Sequence, residues 1–254
     1  MKRCLVFLLL IGLSLGPAAA QPGRPAPARV WEVNHNIWLC YFSDADLYRK
    51  WGLHTEFQYR RTHGLRDPQQ YFYRAGVNYR PTKGVLLTAG YVYLLSLPYG
   101  EYPAAGRSHQ HWLYELVELK QGFGRLGLDH RFIQEQRWAR GPGKTSYAFE
   151  HRTRYRLALK LPLTQPHLVP GTLYALASDE IFIGYGHNAP GFFDENRLYG
   201  GLGYQLTPAL ALEASYLSQI LAHSDQVVYE DNRALEVSVH FNPDFRPRPA
   251  APGP

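Results

Sequence analysis

Two short clusters could supply a nucleophile and its base. Ser108, His109 and His111 stand close together, and His223, Ser224 and Asp225 are consecutive. A serine hydroxyl activated by histidine would carry acyl transfer of the lipase or acyltransferase type, provided the groups meet in space as well as in sequence. His109, His223 and Ser224 are the catalytic candidates on that reading. Asp179-Glu180 followed by His187 is a looser hint of an acid–histidine protease. Gly200-Gly201-Leu202-Gly203 lacks the spacing and strand–turn–helix context of a nucleotide-binding turn. The histidines show no HExxH-type metal spacing, so neither a cofactor nor a metal is expected. The densest charge is Arg152, Arg154 and Arg156, at alternate positions. That spacing supports no catalysis, and the three would repel one another unless carboxylates lie opposite.

The elements that must position these residues are strands. No long segment has a 3.6-residue period, and no apolar stretch approaches the length of a membrane helix. Period two recurs instead. Over residues 51–62, Trp51, Leu53, Thr55, Phe57 and Tyr59 oppose Gly52, His54, Glu56, Gln58 and Arg60. Over 71–80, Tyr71, Tyr73, Ala75, Val77 and Tyr79 oppose Phe72, Arg74, Gly76, Asn78 and Arg80. Similar alternation runs through 85–96, 125–137, 147–160, 172–183, 196–205, 210–220 and 232–241, while 109–120 is a strand of unclear facing. The polar face so defined carries Glu56, Arg60, Arg74, Asp129, Arg131, Glu150, Arg152, Arg154, Arg156, Glu180, Arg197, Glu213 and Glu236.

The 254 residues carry 27 Lys+Arg against 21 Asp+Glu, a net charge of +6, and the basic excess is mostly arginine. Nothing forms the basic patch or recognisable module of a nucleic-acid binder. Residues 1–20 read as a signal peptide: Lys2 and Arg3, an apolar run over 5–15, then Pro17 and Ala18-Ala19-Ala20. Without that leader the net charge falls to +4 and Cys40 is the one remaining cysteine, so no internal disulfide can form. Export without disulfides suggests the bacterial envelope. Residues 21–29 and 246–254 are rich in Pro, Ala and Arg and read as flexible ends around a body at 30–245.

Many alternating strands, 19 Tyr, 12 Phe and 5 Trp, and charge gathered on one face predict an all-β fold, an antiparallel transmembrane β-barrel. A soluble sandwich or lipocalin-like barrel would alternate too, with its apolar face inside, and alternation alone does not distinguish inside from outside. With 30–42 included, eleven segments can be counted. Connections alternate between short and long, with 161–171 a slight break in the pattern, which puts the end of the last strand on the short-turn side and the start of the first on the long-loop side. An exported chain with both ends in the periplasm needs an even number, so ten or twelve strands are expected, with 31–42 the segment in question.

The layout resembles the DUF2490 family of uncharacterised bacterial proteins. Lys50-Trp51-Gly52-Leu53 with Glu56, Gln58 and Arg60 is similar to its early strand, and Leu128-Asp129-His130-Arg131-Phe132 to its L-E-x-R-F segment, with Asp for the usual Glu. Arg152, Arg154, Arg156 and Leu157 resemble its R.RYRL strand. Asp179-Glu180-Ile181-Phe182, then Phe193 and the run from Asn196 to Tyr204, resemble its longest block. The resemblance spans about 31–241 and implies an outer-membrane barrel without an assigned activity or ligand. The tail beyond Phe241 departs from the usual aromatic end of such barrels.

Two functions follow as expectations. In one, the charged face fills the lumen and pairs with itself, or lines a narrow pore that selects anions. The alternative is a lipid-modifying enzyme of the outer membrane. Expected partners are outer-membrane lipid, the outer-membrane assembly machinery and periplasmic chaperones in transit, with no nucleic acid.

Overall fold

The structure, a computed structural model, describes residues 28–247. The expected signal peptide, residues 21–27 and the last residues of the Pro/Arg tail lie outside the described residues. The described chain is eleven strands closed into one barrel: β1 (Val30–Tyr48), β2 (Trp51–Thr62), β3 (Asp67–Tyr79), β4 (Val85–Ser96), β5 (Ser108–Phe123), β6 (Leu126–Arg140), β7 (Ala148–Pro162), β8 (Thr172–Tyr185), β9 (Phe193–Gln205), β10 (Leu210–Ala222) and β11 (Val228–Phe241). Each strand pairs antiparallel with its sequence neighbours, and β1 closes the barrel by pairing parallel with β11, from Val30 opposite Val228 to Phe42 opposite His240. The all-β closed barrel expected from the alternation is present. Its count is eleven, between the ten and twelve that parity favoured, because parity assumed a closing pair that is antiparallel. The segment in question is a full strand of 19 residues.

The parallel seam puts the two ends of the sheet at opposite rims. β1 starts at the rim that carries the β4–β5, β6–β7, β8–β9 and β10–β11 connections. β11 finishes at the other rim, beside tight turns such as Arg49-Lys50 and the Gly84 turn. Gly84 has a φ of 82°, and a Cβ there would come within 2.8 Å of the Lys120 carbonyl oxygen, so this turn requires glycine. Past Phe241 the chain keeps following β1. Asp46 N–H donates to the Pro243 carbonyl at 2.9 Å, Phe245 N–H donates to the Asp46 carbonyl at 2.8 Å, and Asp46 bridges to Asp244.

Side chains alternate between lumen and exterior. The outer face is largely apolar, with Val33, Leu53, Val77, Leu113, Leu198, Leu202, Tyr216 and Leu235 exposed. It also carries polar groups, among them a seam across β5 to β8 and the pairs Asp179–Asn196 and Asp231–Arg233. In the β5–β8 seam Gln136 donates to Glu115 at 3.1 Å, and Gln134 accepts from Thr153 and Tyr185, both at 2.7 Å. Inside, apolar side chains fill part of the volume: Phe72, Val92, Leu94, Trp112, Tyr114, Leu116 and Ile133 form one cluster, and Trp38, Cys40, Leu217 and Ala234 another at the seam. β5, whose facing the sequence left open, turns Trp112, Tyr114, Leu116 and Glu118 inward.

The seam register is directly testable. Leu39 lies opposite Val237, so a Leu39→Cys/Val237→Cys pair in a Cys40→Ser chain cross-links on mild oxidation and changes migration on a non-reducing gel. A Leu39→Cys/Glu236→Cys pair, whose side chains leave opposite faces of the sheet, does not.

Candidate functional site

The lumen is a stack of ion pairs built from alternate residues of facing strands. At mid-height Arg74 on β3 donates to Glu56 on β2 at 2.8 Å. Glu135 on β6 accepts from Arg152 at 2.6 Å and from Arg154 at 3.0 Å, both on β7. Arg154 also reaches Glu180 on β8 at 2.8 Å. The three alternating arginines are therefore held apart by carboxylates supplied from both neighbouring strands. Arg152 also donates to Asp194 at 2.7 Å, and Arg137 lies 3.3 Å from Glu150. Arg197 pairs with Glu195, which also accepts from Gln219.

Among the described residues no carboxylate hydrogen-bonds or ion-pairs with Arg60. It donates to Gln58 and Gln70, and its guanidinium stacks 3.9 Å from the Trp38 ring centroid. Such stacking suits arginine, whose planar cation is weakly hydrated.

Toward the short-turn rim, Glu118 meets Lys120 at 2.7 Å and Arg131 at 3.4 Å, and Arg156 lies 3.8 Å from Asp129. Glu213 gathers Lys160 at 2.5 Å, Tyr174 at 2.8 Å and His240 at 3.1 Å. The ring of Tyr174 occupies the space a side chain at Gly203 would need. Among the described residues no hydrogen bond or ion pair reaches Glu236, which is buried beside this group.

Two cavities flank the mid-height layer. One of about 400 Å³ lies toward the short-turn rim, lined by Arg131, Arg156, Lys160, Glu213, Glu236 and His240 among others. One of about 120 Å³ lies toward the long-loop rim, lined by Arg60, Arg137, Arg152 and Asp194 among others. Glu56, Gln58, Arg74, Arg154 and Arg197 line both, so this layer lies where the two meet.

The catalytic candidates are not brought together. His109 accepts or donates a bond with the Tyr93 hydroxyl at 2.9 Å, and His111 contacts Tyr91 and Tyr147. His223, in the β10–β11 connection, meets Glu230 at 2.6 Å. That bond to Glu230 raises its pKa above the usual histidine value. The Ser224 hydroxyl has no hydrogen-bond partner among the described residues. A serine–histidine contact does occur elsewhere, between Ser238 and His240 Nε2 at 3.2 Å. Glu213 also lies on that same nitrogen, at 3.1 Å, so the carboxylate does not orient the ring from its far side as a triad requires.

Several residues that matter in the lumen escaped the sequence reading. Glu118 sits on the strand of unclear facing. Glu135 sits in the run Gln134-Glu135-Gln136-Arg137, which is polar on both faces. Asp194 and Glu195 precede the apparent start of their strand. Charge of opposite sign at the register position across from Arg152 is the signal that finds Glu135, and it requires the pairing.

Removing a shared carboxylate tests the stack. Glu135→Ala leaves Arg152 and Arg154 buried with one fewer counter-charge and lowers stability by about 3–5 kcal/mol, the range for breaking a buried pair. Urea unfolding of the refolded barrel in micelles reads the loss, and Glu115→Ala, on the outer face, loses far less.

Compared with known proteins, the chain matches a family model described as a protein of unknown function (DUF2490) over residues 35–230. No curated protein and no solved structure matches it. The matched region covers most of the chain, from within β1 to the start of β11, and takes in the ion pairs of the lumen except those of β11 past Glu230, such as His240 with Glu213. The chain belongs to the DUF2490 family.

Proposed function

We propose that this chain is an outer-membrane β-barrel whose charged interior is structural and holds the lumen shut at mid-height. The observation that carries this reading is the layer of Glu56, Arg74, Arg154 and Arg197 between the two cavities. Buried charges persist when paired and hydrogen-bonded, and here Glu56 is held by Arg74, and Arg154 by Glu135 and Glu180, across three pairs of neighbouring strands. Support for the membrane comes from the inverted faces. Apolar side chains point out and charges point in, the arrangement of a barrel solvated by lipid. Closure leaves no unpaired edge in the strand ladder, which a hydrocarbon layer demands. The short turns then face the periplasm and the long connections the outside.

A narrow pore is the second reading, favoured by the composition of the smaller cavity. Six arginines line it (Arg60, Arg74, Arg137, Arg152, Arg154 and Arg197) against the carboxylates Glu56, Asp194 and Glu195. A passage opened through the layer would favour anions. Planar-bilayer recording separates the two. The closed reading expects no steady unitary steps from the wild-type chain, and small anion-selective steps from Arg154→Ala/Glu180→Ala, which removes part of the layer. Steady steps from the wild type would overturn closure and establish the pore.

A further inference from the structure

At the long-loop rim, the first turn of the parallel seam gathers Glu32 of β1, Glu230 of β11 and His223 from the connection before β11. One ligand atom from each lies within 4.8 Å of the other two. Glu32 is 1% exposed and Glu230 5%. Two carboxylates buried this deeply repel each other and lose hydration unless a cation faces them. In the rest of the lumen Glu56, Glu118, Glu135, Glu180, Glu195 and Glu213 each have Arg or Lys within 4.0 Å, and Glu236 is the exception. Among the described residues neither Glu32 nor Glu230 has an arginine or lysine partner, and His223 is the one basic group on them.

The surroundings are shaped around this charge. Tyr99 of the β4–β5 connection donates to Glu230 at 2.5 Å, and the Glu101 backbone N–H donates to Glu32. Between them Gly100 has a φ of 79°, and its backbone lies so close to the Glu32 carboxylate that a Cβ would overlap it. Asn34, next along the lumen face of β1, is buried beside Gly100 and its amide nitrogen has no partner. The Asn34 amide oxygen already lies on the Gly100 side, beside the Glu32 carboxylate, where it could serve a cation. His223 is part-exposed at the rim, which leaves a path for an ion.

We propose that Glu32, His223 and Glu230 form a binding site for a divalent first-row transition cation, with zinc as the representative ion. One imidazole and two carboxylates suit zinc-type ions, whereas calcium prefers an all-oxygen set. The cation takes the place between His223 and Glu230 that their hydrogen bond now occupies. It ties the start of β1 to the start of β11, where the barrel's one parallel pair begins, and the Tyr99–Glu101 stretch covers it.

The test uses untagged full-length chain refolded in micelles, dialysed against limiting zinc chloride and analysed for metal content. The expected result is one zinc per wild-type chain, with His223→Ala and Glu32→Gln weakening binding by more than the about 10–100-fold that loss of an outer partner alone brings. His54→Ala, at another histidine–carboxylate group of the lumen, leaves binding unchanged. Calcium chloride does not displace the ion. Zinc retained equally by His223→Ala, zinc displaced by equimolar calcium, or no zinc on the folded wild type overturns the proposal. If either variant fails to fold, judged by heat-modifiable migration, cobalt titration of the wild-type chain decides: a d–d absorption band lost on adding zinc supports the site, and its absence overturns it.

Discussion

Every strand of this sheet must have two neighbours, and the rest of the structure depends on how the last vacancy is filled. An edge strand presents a row of unpaired backbone donors and acceptors. Ten hairpin connections leave β1 and β11 as the two edges, and with eleven strands those edges run the same way. Closure is therefore parallel, with evenly spaced, slanted bonds that are slightly weaker per residue than the antiparallel kind. The seam pairs along most of both strands, from Val30–Val228 to Phe42–His240. Its lumen side is packed by Trp38, Cys40, Leu217 and Ala234.

Closure fixes a lumen, and a lumen this small must be filled. Some of the filling is apolar, but most strands present charge inward, and charge can be buried only in company. The register supplies the company. Glu56 lies across from Arg74, Glu135 from Arg152 and Glu180 from both Arg156 and Arg197. Each pairing joins neighbouring strands side chain to side chain as well as backbone to backbone. A slip of one residue would turn a whole strand's charge outward and its apolar face inward. The ion pairs therefore specify register as much as they contribute stability, and the mid-height constriction follows from that requirement.

Alternation made β2 legible to the residue, because its two faces differ at every position from Trp51 to Thr62. It failed on β5, where Trp112, Tyr114 and Leu116 face in while Leu113 and Val117 face out, so that both faces read as apolar. It failed again on β6, where Gln134 and Gln136 belong to a polar seam on the outer face and hide Glu135 between them. Strand ends were underestimated wherever glycine or loop-like residues stand beside them: β1 runs on to Tyr48, β9 begins at Phe193 and β11 at Val228. The count of eleven segments was available from sequence. What periodicity cannot carry is the direction in which the first and last strands meet. The Glu32, His223 and Glu230 group was invisible for the same reason, since its members come from opposite ends of the chain and meet only across the seam.

The same seam is secured beyond its ladder at both rims, by different means. At the short-turn rim Phe42 stacks on His240, Asn242 accepts from the Asp44 backbone N–H at 2.8 Å, and Arg246 reaches Asp46 at 3.3 Å. The residues after Phe241 thus extend the parallel pairing, and they give the segment that departs from the usual aromatic barrel end a structural part in closure. At the long-loop rim the described residues extend the ladder only by the Val30 N–H, which donates to the Val227 carbonyl at 3.0 Å. There the buried pair of carboxylates, His223 and the Tyr99–Glu101 stretch converge on the first residues of β1 and β11. A parallel pair whose strands begin at one rim and end at the other needs fastening at each. One rim is fastened by chain that continues past the last strand, the other by side chains whose negative charge exceeds the positive charge beside it.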